Sequence, residues 1–173
     1  MAGCMPEKIG ESLAREMEAF YDQGMFANGL CAIQTDQLHT LEEGIQCLGQ
    51  CLTLFPGSPK YMERAMENAR GLHYVTGYNE KGHRHVLSGY YSGTRIAREA
   101  PWDYSASDSF HVFHPTYMLV RYNGSPEARR LVLETADSML EHYYDGRLHV
   151  LVNVTTGEDQ VHERTREWPL FYA

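Results

Sequence analysis

The chain has 173 residues, of which 43% are hydrophobic and 12% aromatic, enough to build one domain with a real core and to exclude wholesale disorder. Its 23 acidic against 15 basic residues leave a net charge of -8, so no basic field exists to hold nucleic acid or an anionic membrane surface. No run approaches the roughly 20 apolar residues of a membrane span, and residues 1–10 (MAGCMPEKIG) lack the charged start and apolar stretch of a signal peptide. Localisation is left open, with secretion expected only if the sequence is part of a longer protein.

From Pro6 to Gln23, Leu13, Met17, Phe20 and Tyr21 fall on one side of a predicted outer helix. Between Asp36 and Phe55 the residues Leu38, Leu41, Ile45, Leu48, Leu52 and Phe55 recur at intervals of 3 and 4, the helical period. Thr35 or Asp36 caps that helix and Pro56-Gly57 stops it. Cys47 and Cys51 share one of its faces. No Cys or His pair follows at zinc-finger distance, so they read as core thiols, as does the remainder of a cysteine set too small for a disulfide scaffold. A second helix starts at Pro59, a favoured first-turn residue, and carries Tyr61, Met62, Ala65, Met66, Ala69 and Leu72. Together the two predict a helical hairpin.

A long connection rich in Gly, His, Tyr and Ser runs from Gly77 to Asp108, and its aromatic content argues for order. Beyond it, Phe110, Phe113, Tyr117 and Val120 mark a helix over Ser107 to Tyr122, and Leu131, Thr135, Met139 and Leu140 mark another over Pro126 to Tyr144. Gly57-Ser58-Pro59 recurs as Gly124-Ser125-Pro126, an offset of 67 that also aligns Glu67 with Glu134 and Ala69 with Ala136. Such a period raises a solenoid scaffold, but shifting by half of it pairs Gly57-Ser58-Pro59 with Tyr91-Ser92-Gly93 and yields no matching stripe. Leu148 to Val154 reads as a short strand or hairpin before a turn at Thr155-Thr156-Gly157, and Val161 to Ala173 as a further helical or extended segment. The expected fold is therefore mainly all-α: helical hairpins with a short β insertion near residues 148–154, in a single domain over residues 1–173.

Residues able to do chemistry concentrate between Tyr78 and Arg95, where two imidazoles, three phenols and two guanidinium groups fall within 18 residues. Arg95 and Arg98, with Lys81 and Arg84, offer a local cationic cluster against the acidic whole. His111 and His114 lie three apart and share a helix face distinct from the Phe110, Phe113, Tyr117 stripe. With His39 they supply imidazoles from two helices, suited to sugar hydroxyls or a divalent metal; nothing in the sequence fixes the distance between the helices, so no metal ligand is assigned. Glu42, Glu43, Asp103 and Asp108 are the candidate carboxylates, and Trp102 beside Asp103 is a candidate sugar-stacking platform. Asp108 also sits where a helix cap is expected, and Glu42 and Glu43 are ordinary first-turn acids. Dinucleotide and P-loop glycine patterns, a nucleophile elbow and HExxH do not occur.

The repeated segments GSPKYMERAMENARGL and GSPEARRLVLETADSML, with inner and outer helices alternating and polar aromatic loops at one end, resemble the α/α toroid architecture of carbohydrate-active enzymes over roughly Pro6 to Tyr144. The resemblance implies an oligo- or polysaccharide partner in a funnel lined by inner-helix ends. A complete toroid has about twice as many helices, which implies a fragment of a longer catalytic domain, or a partial toroid completed by a further domain or subunit. By the same resemblance the activity is that of a polysaccharide lyase cleaving a uronate-containing glycan by β-elimination, without a cofactor. His85 is then the base or carboxylate neutraliser, Tyr90 or Tyr91 the acid or base and Arg95 the substrate anchor, with His83 beside them. His39, Asn79, Trp102, His111, His114 and Tyr117 bind substrate. The alternatives are a glycoside hydrolase of the same type using paired carboxylates, and a non-enzymatic helical-repeat interaction protein.

Overall fold

A computed structural model describes residues 6–144, 147–148 and 151–160. Helix α1 (Pro6–Asp22) buries Met17 completely and packs Leu13, Phe20 and Tyr21 on the first of two core clusters. The chain then turns through a hairpin of β1 (Phe26–Ala27) and β2 (Leu30–Cys31). Its two-residue loop is Asn28-Gly29, both at positive φ (51° and 73°), a pair that suits the tight hairpin turn matching the twist of its strands. Gly29 is required twice over, because a Cβ there would overlap the Glu67–Asn68 backbone of a later helix. Strand β3 (Thr35–Asp36) follows and leads into α2 (Gln37–Thr40), a π-helical turn (Leu41–Ile45) and α3 (Gln46–Leu54).

The single helix expected from Asp36 to Phe55 is thus interrupted. Gly44 adopts φ 123°, outside the range of any L-residue helix, and the Phe26 ring occupies the space its side chain would need. The apolar spacing continues across the interruption, which is why periodicity alone does not reveal it. Cys47 and Cys51 are buried free thiols, as core residues should be.

Helix α4 (Pro59–Val75) has Pro59 in its first turn and buries Tyr61, Met62, Ala65, Asn68, Ala69, Leu72 and Val75. Its Arg64 grips Glu18 of α1 with both guanidinium nitrogens (2.8 and 3.0 Å) while lying 3.6 Å above the Tyr21 ring, and Lys60 adds a third contact to the same carboxylate at 3.2 Å. After the long connection, a 3-10 segment (Ser107–Phe113) passes into α5 (His114–Asn123), and α6 (Pro126–Leu140) follows. The repeated Gly-Ser-Pro is a structural repeat: Gly57 and Gly124 both sit at left-handed φ (77° and 67°), and each proline opens a helix. Only Ser125 also caps, accepting from the Ala128 amide at 3.3 Å.

The mainly all-α expectation is overturned. Among the described residues the connections hold five two-stranded antiparallel sheets, so the fold is mixed α and β. Strand β4 (Thr76–Tyr78) pairs with β5 (Arg84–Val86), and β3 with β6 (Tyr90–Tyr91). Strand β7 (Tyr104–Ala106) pairs with β10 (Leu151–Asn153), and β8 (Tyr143–Tyr144) with β9 (Arg147–Leu148). Each strand is two or three residues long, too short to show a period of two, which is how a segment read as a loop conceals strands. The β insertion expected near 148–154 is present as β10, but it closes on β7 instead of standing between helices. Val161 to Ala173 and Cys4 lie outside the described residues.

Two clusters fill the interior. The first joins α1, α3, α4 and the inner sides of α5 and α6 through Met17, Leu48, Leu52, Met62, Leu119 and Ala128. In the second, Leu30, Leu72, Val86, Tyr91, Phe113 and Leu131 lock the short strands against the helices. A buried polar link joins them to the first hairpin: Asn68 donates to the Gly29 carbonyl at 3.1 Å and accepts from the Thr116 hydroxyl at 2.9 Å.

Candidate functional site

A cavity of about 910 Å³ lies between α3, the 3-10 segment, α5 and α6. Phe110 and Phe113, stacked with centroids 5.3 Å apart, contribute to its aromatic wall, and Val132, Ala136, Met139 and Leu140 of α6 supply aliphatic surface. Gln46 and Gln50 approach it from successive turns of α3, and His111, His114 and Tyr117 from the start of α5 and the turn before it. Three of the expected substrate residues, His111, His114 and Tyr117, therefore do share one hollow. The His114 ring rests on Gly49, where a Cβ would overlap its Nδ1, and the lost hydration holds its pKa below the usual histidine range.

The residues expected to be catalytic do not join them. His85 is 1% exposed and Tyr91 is fully buried in the second core cluster. Arg95 is exposed on a turn after β6. Tyr90 lies against Trp102, ring centroids 4.8 Å apart, so the indole face expected to receive a sugar is covered on that side. His39 is exposed at the end of α2, its Nδ1 2.7 Å from the Asp36 carboxylate. Asn79 shapes the β4–β5 turn: its Oδ1 accepts from the amides of Lys81 and His83, each at 3.0 Å.

Of the candidate carboxylates, Asp103 accepts from the Asn153 side chain at 3.1 Å, and Glu42 is exposed. Glu43 lies on the π-helical turn and Asp108 on the 3-10 segment. The cationic cluster is also partly spent. Lys81 pairs with Glu158 at 2.8 Å, and Arg84 is buried in a network with Glu134 (3.0 Å), Thr76 (3.0 Å), Tyr78 (3.3 Å) and His73 (3.1 Å). Burial and the Arg84 charge hold the His73 pKa down, and hydrogen bonds from Tyr78 and Arg84 hold the Glu134 carboxyl below its ordinary value.

His83 and His85 flank Arg84 on the edge of β5. Residues two apart on a strand face the same way, so as Arg84 reaches toward α4 and α6 the two imidazoles turn to the other side. There they meet His142, from the turn after α6, with ring centroids 6.4 Å (His83–His85), 6.0 Å (His83–His142) and 5.5 Å (His85–His142) apart. His142 was not singled out by sequence: it lies far along the chain with no motif of its own. The His-Arg-His run, read as strand instead of loop, is the one signal that pointed here. Comparison with known protein families, with curated proteins and with solved structures finds no match to this chain.

Proposed function

We propose that this chain is a carbohydrate-active protein that cleaves a uronate-containing glycan by β-elimination in the α3–α5–α6 cavity. The observation that carries this reading is the gathering of amide, imidazole and phenol groups around one aromatic-walled hollow of about 910 Å³. Phe110, half-buried on the cavity wall with the buried Phe113 ring stacked behind it, suits the apolar face of a sugar ring. Gln46 and Gln50 donate hydrogen bonds to the uronate carboxylate and stabilise the charge that spreads onto it as the neighbouring C5–H bond weakens. His114, whose pKa partial desolvation lowers from the ordinary histidine value, accepts the C5 proton. The electron pair of that bond forms the C4=C5 double bond as the C4–O bond breaks, and the Tyr117 hydroxyl, three residues along α5, protonates the departing glycosidic oxygen.

Hydrolysis is less well supported, because it needs two carboxylates about the scissile bond and no carboxylate is among the described residues lining the cavity. The roles first expected for His83, His85, Tyr90, Tyr91 and Arg95 pass to this second set. The test is incubation with a panel of uronate polymers, following the ultraviolet absorbance of the unsaturated product. Wild type should generate it, and His114→Ala should lower the rate by about 100-fold or more. New reducing ends without that absorbance would mean hydrolysis, and neither signal would end the proposal.

A further inference from the structure

Beyond that reading, and at a different place in the fold, we infer that His83, His85 and His142 form a binding site for one divalent transition-metal ion of the zinc type. One nitrogen from each of the three rings lies within 4.8 Å of the other two. Zinc–nitrogen bonds of about 2.0–2.1 Å in a tetrahedron place nitrogens about 3.3 Å apart, so the cluster needs only about an ångström of side-chain adjustment to close on an ion.

Four features of the cluster make it a site and not a chance meeting of rings. First, it is buried: His85 is 1% and His142 5% exposed, and His83 is half-buried. Second, four of its six ring nitrogens have no other use. Both ring nitrogens of His85, Nδ1 of His83 and Nε2 of His142 are buried without a hydrogen-bond partner. Buried polar groups without a partner are costly, and one ion accepting three lone pairs supplies the partner that they lack. Third, the His142 ring is already oriented. Its Nδ1 lies 2.7 Å from the Asp159 carboxylate, which can only accept, so the proton sits on Nδ1 and the Nε2 lone pair is left free toward the cluster. A carboxylate behind a histidine ligand is the usual device for fixing the tautomer and raising basicity. Fourth, three imidazole ligands without an oxygen ligand suit zinc, cobalt, nickel or copper and not magnesium or calcium.

Three protein ligands leave one tetrahedral position to water. The ion would tie the β4–β5 hairpin to the turn after α6 and, through Asp159, to the segment following β10. Asn79, which shapes the turn just before His83, acts as a positioning residue.

The experiment uses the full chain stripped with chelator and titrated with Zn2+, read by calorimetry and by 15N NMR of the imidazoles. One ion per chain should bind, shift the ring nitrogens of His83, His85 and His142, and raise the thermal midpoint. His85→Ala and His142→Ala should abolish this binding. Asp159→Asn, which keeps all three ligands and does not depend on a core substitution folding, should weaken it by about 10-fold to 100-fold. Saturating Zn2+ that leaves these three rings unshifted, or binding unchanged in Asp159→Asn and the alanine variants, would overturn the inference. Neither result bears on turnover in the α3–α5–α6 cavity, since none of these residues lines it.

Discussion

Gly49 of α3 makes room for His114 of α5: a Cβ at position 49 would overlap the imidazole Nδ1. The glycine costs the helix about 1 kcal/mol relative to alanine, and what it secures is the resting place of the proposed base. Gly49→Ala should therefore leave the thermal midpoint within a few degrees of wild type, the propensity gain offsetting the crowding, while turnover of a uronate polymer falls by about 10-fold to 100-fold because the ring is displaced. Melting curves and initial rates on the same preparation check both halves.

Asn68 is a stability determinant that no catalytic argument touches. Its side chain is fully buried and serves the Gly29 carbonyl and the Thr116 hydroxyl at once. Asn68→Ala leaves both without their partner and should cost about 2–4 kcal/mol in urea unfolding. Asn68→Asp should be at least as damaging, since a carboxylate can only accept and meets the Gly29 carbonyl oxygen.

Glu134 neutralises the buried Arg84 guanidinium and also accepts from the Tyr78 hydroxyl at 2.7 Å. Glu134→Ala should destabilise by about 1–3 kcal/mol, and double-mutant cycles with Tyr78→Phe should show coupling, because the two groups share one network. Additive losses would show that the network does not act as a unit.

Acid sensitivity follows from His85. Its folded pKa of about 4 lies below the ordinary value of 6.5, so between those limits the unfolded chain holds the proton and the folded chain does not. Stability of the metal-free protein is then present above pH 6.5 and lost as the pH falls to about 4, by up to about 3 kcal/mol. Urea midpoints across that window should slope upward with pH in wild type, and His85→Leu should flatten the slope.

How much of this was legible in the sequence varied with the length of the signal. Helix α4 was, because Pro59 opens it and Tyr61, Met62, Ala65, Ala69 and Leu72 keep helical spacing to a buried side. The break at Gly44 was not, since the apolar residues on either side stay in phase and the cause is the Phe26 ring, remote in sequence. Asn28-Gly29 carried a local hairpin signal, yet the strands beside it have only two residues each, too few to alternate. Helix spacing puts His111 and His114 on one face and Tyr117 on another, yet all three line one cavity, since residues Ser107–Phe113 wind as a 3-10 segment and not as the expected helix. His85 and Tyr91 were drawn to the same imagined hollow by composition, and composition cannot tell which way a strand's side chains turn. The three-histidine cluster depends on a contact between β5 and the turn after α6, a pairing that no local pattern encodes.

A uronate oligosaccharide bound in the α3–α5–α6 cavity would touch the α6 side chains that line it. Methyl NMR of the full chain titrated with a defined oligouronate tests this most directly. The Met139 and Ala136 methyl groups should show saturable shifts that are lost together with turnover in His114→Ala. Shifts confined to the surroundings of Trp102 and Tyr90, or none at saturating ligand, would contradict binding there.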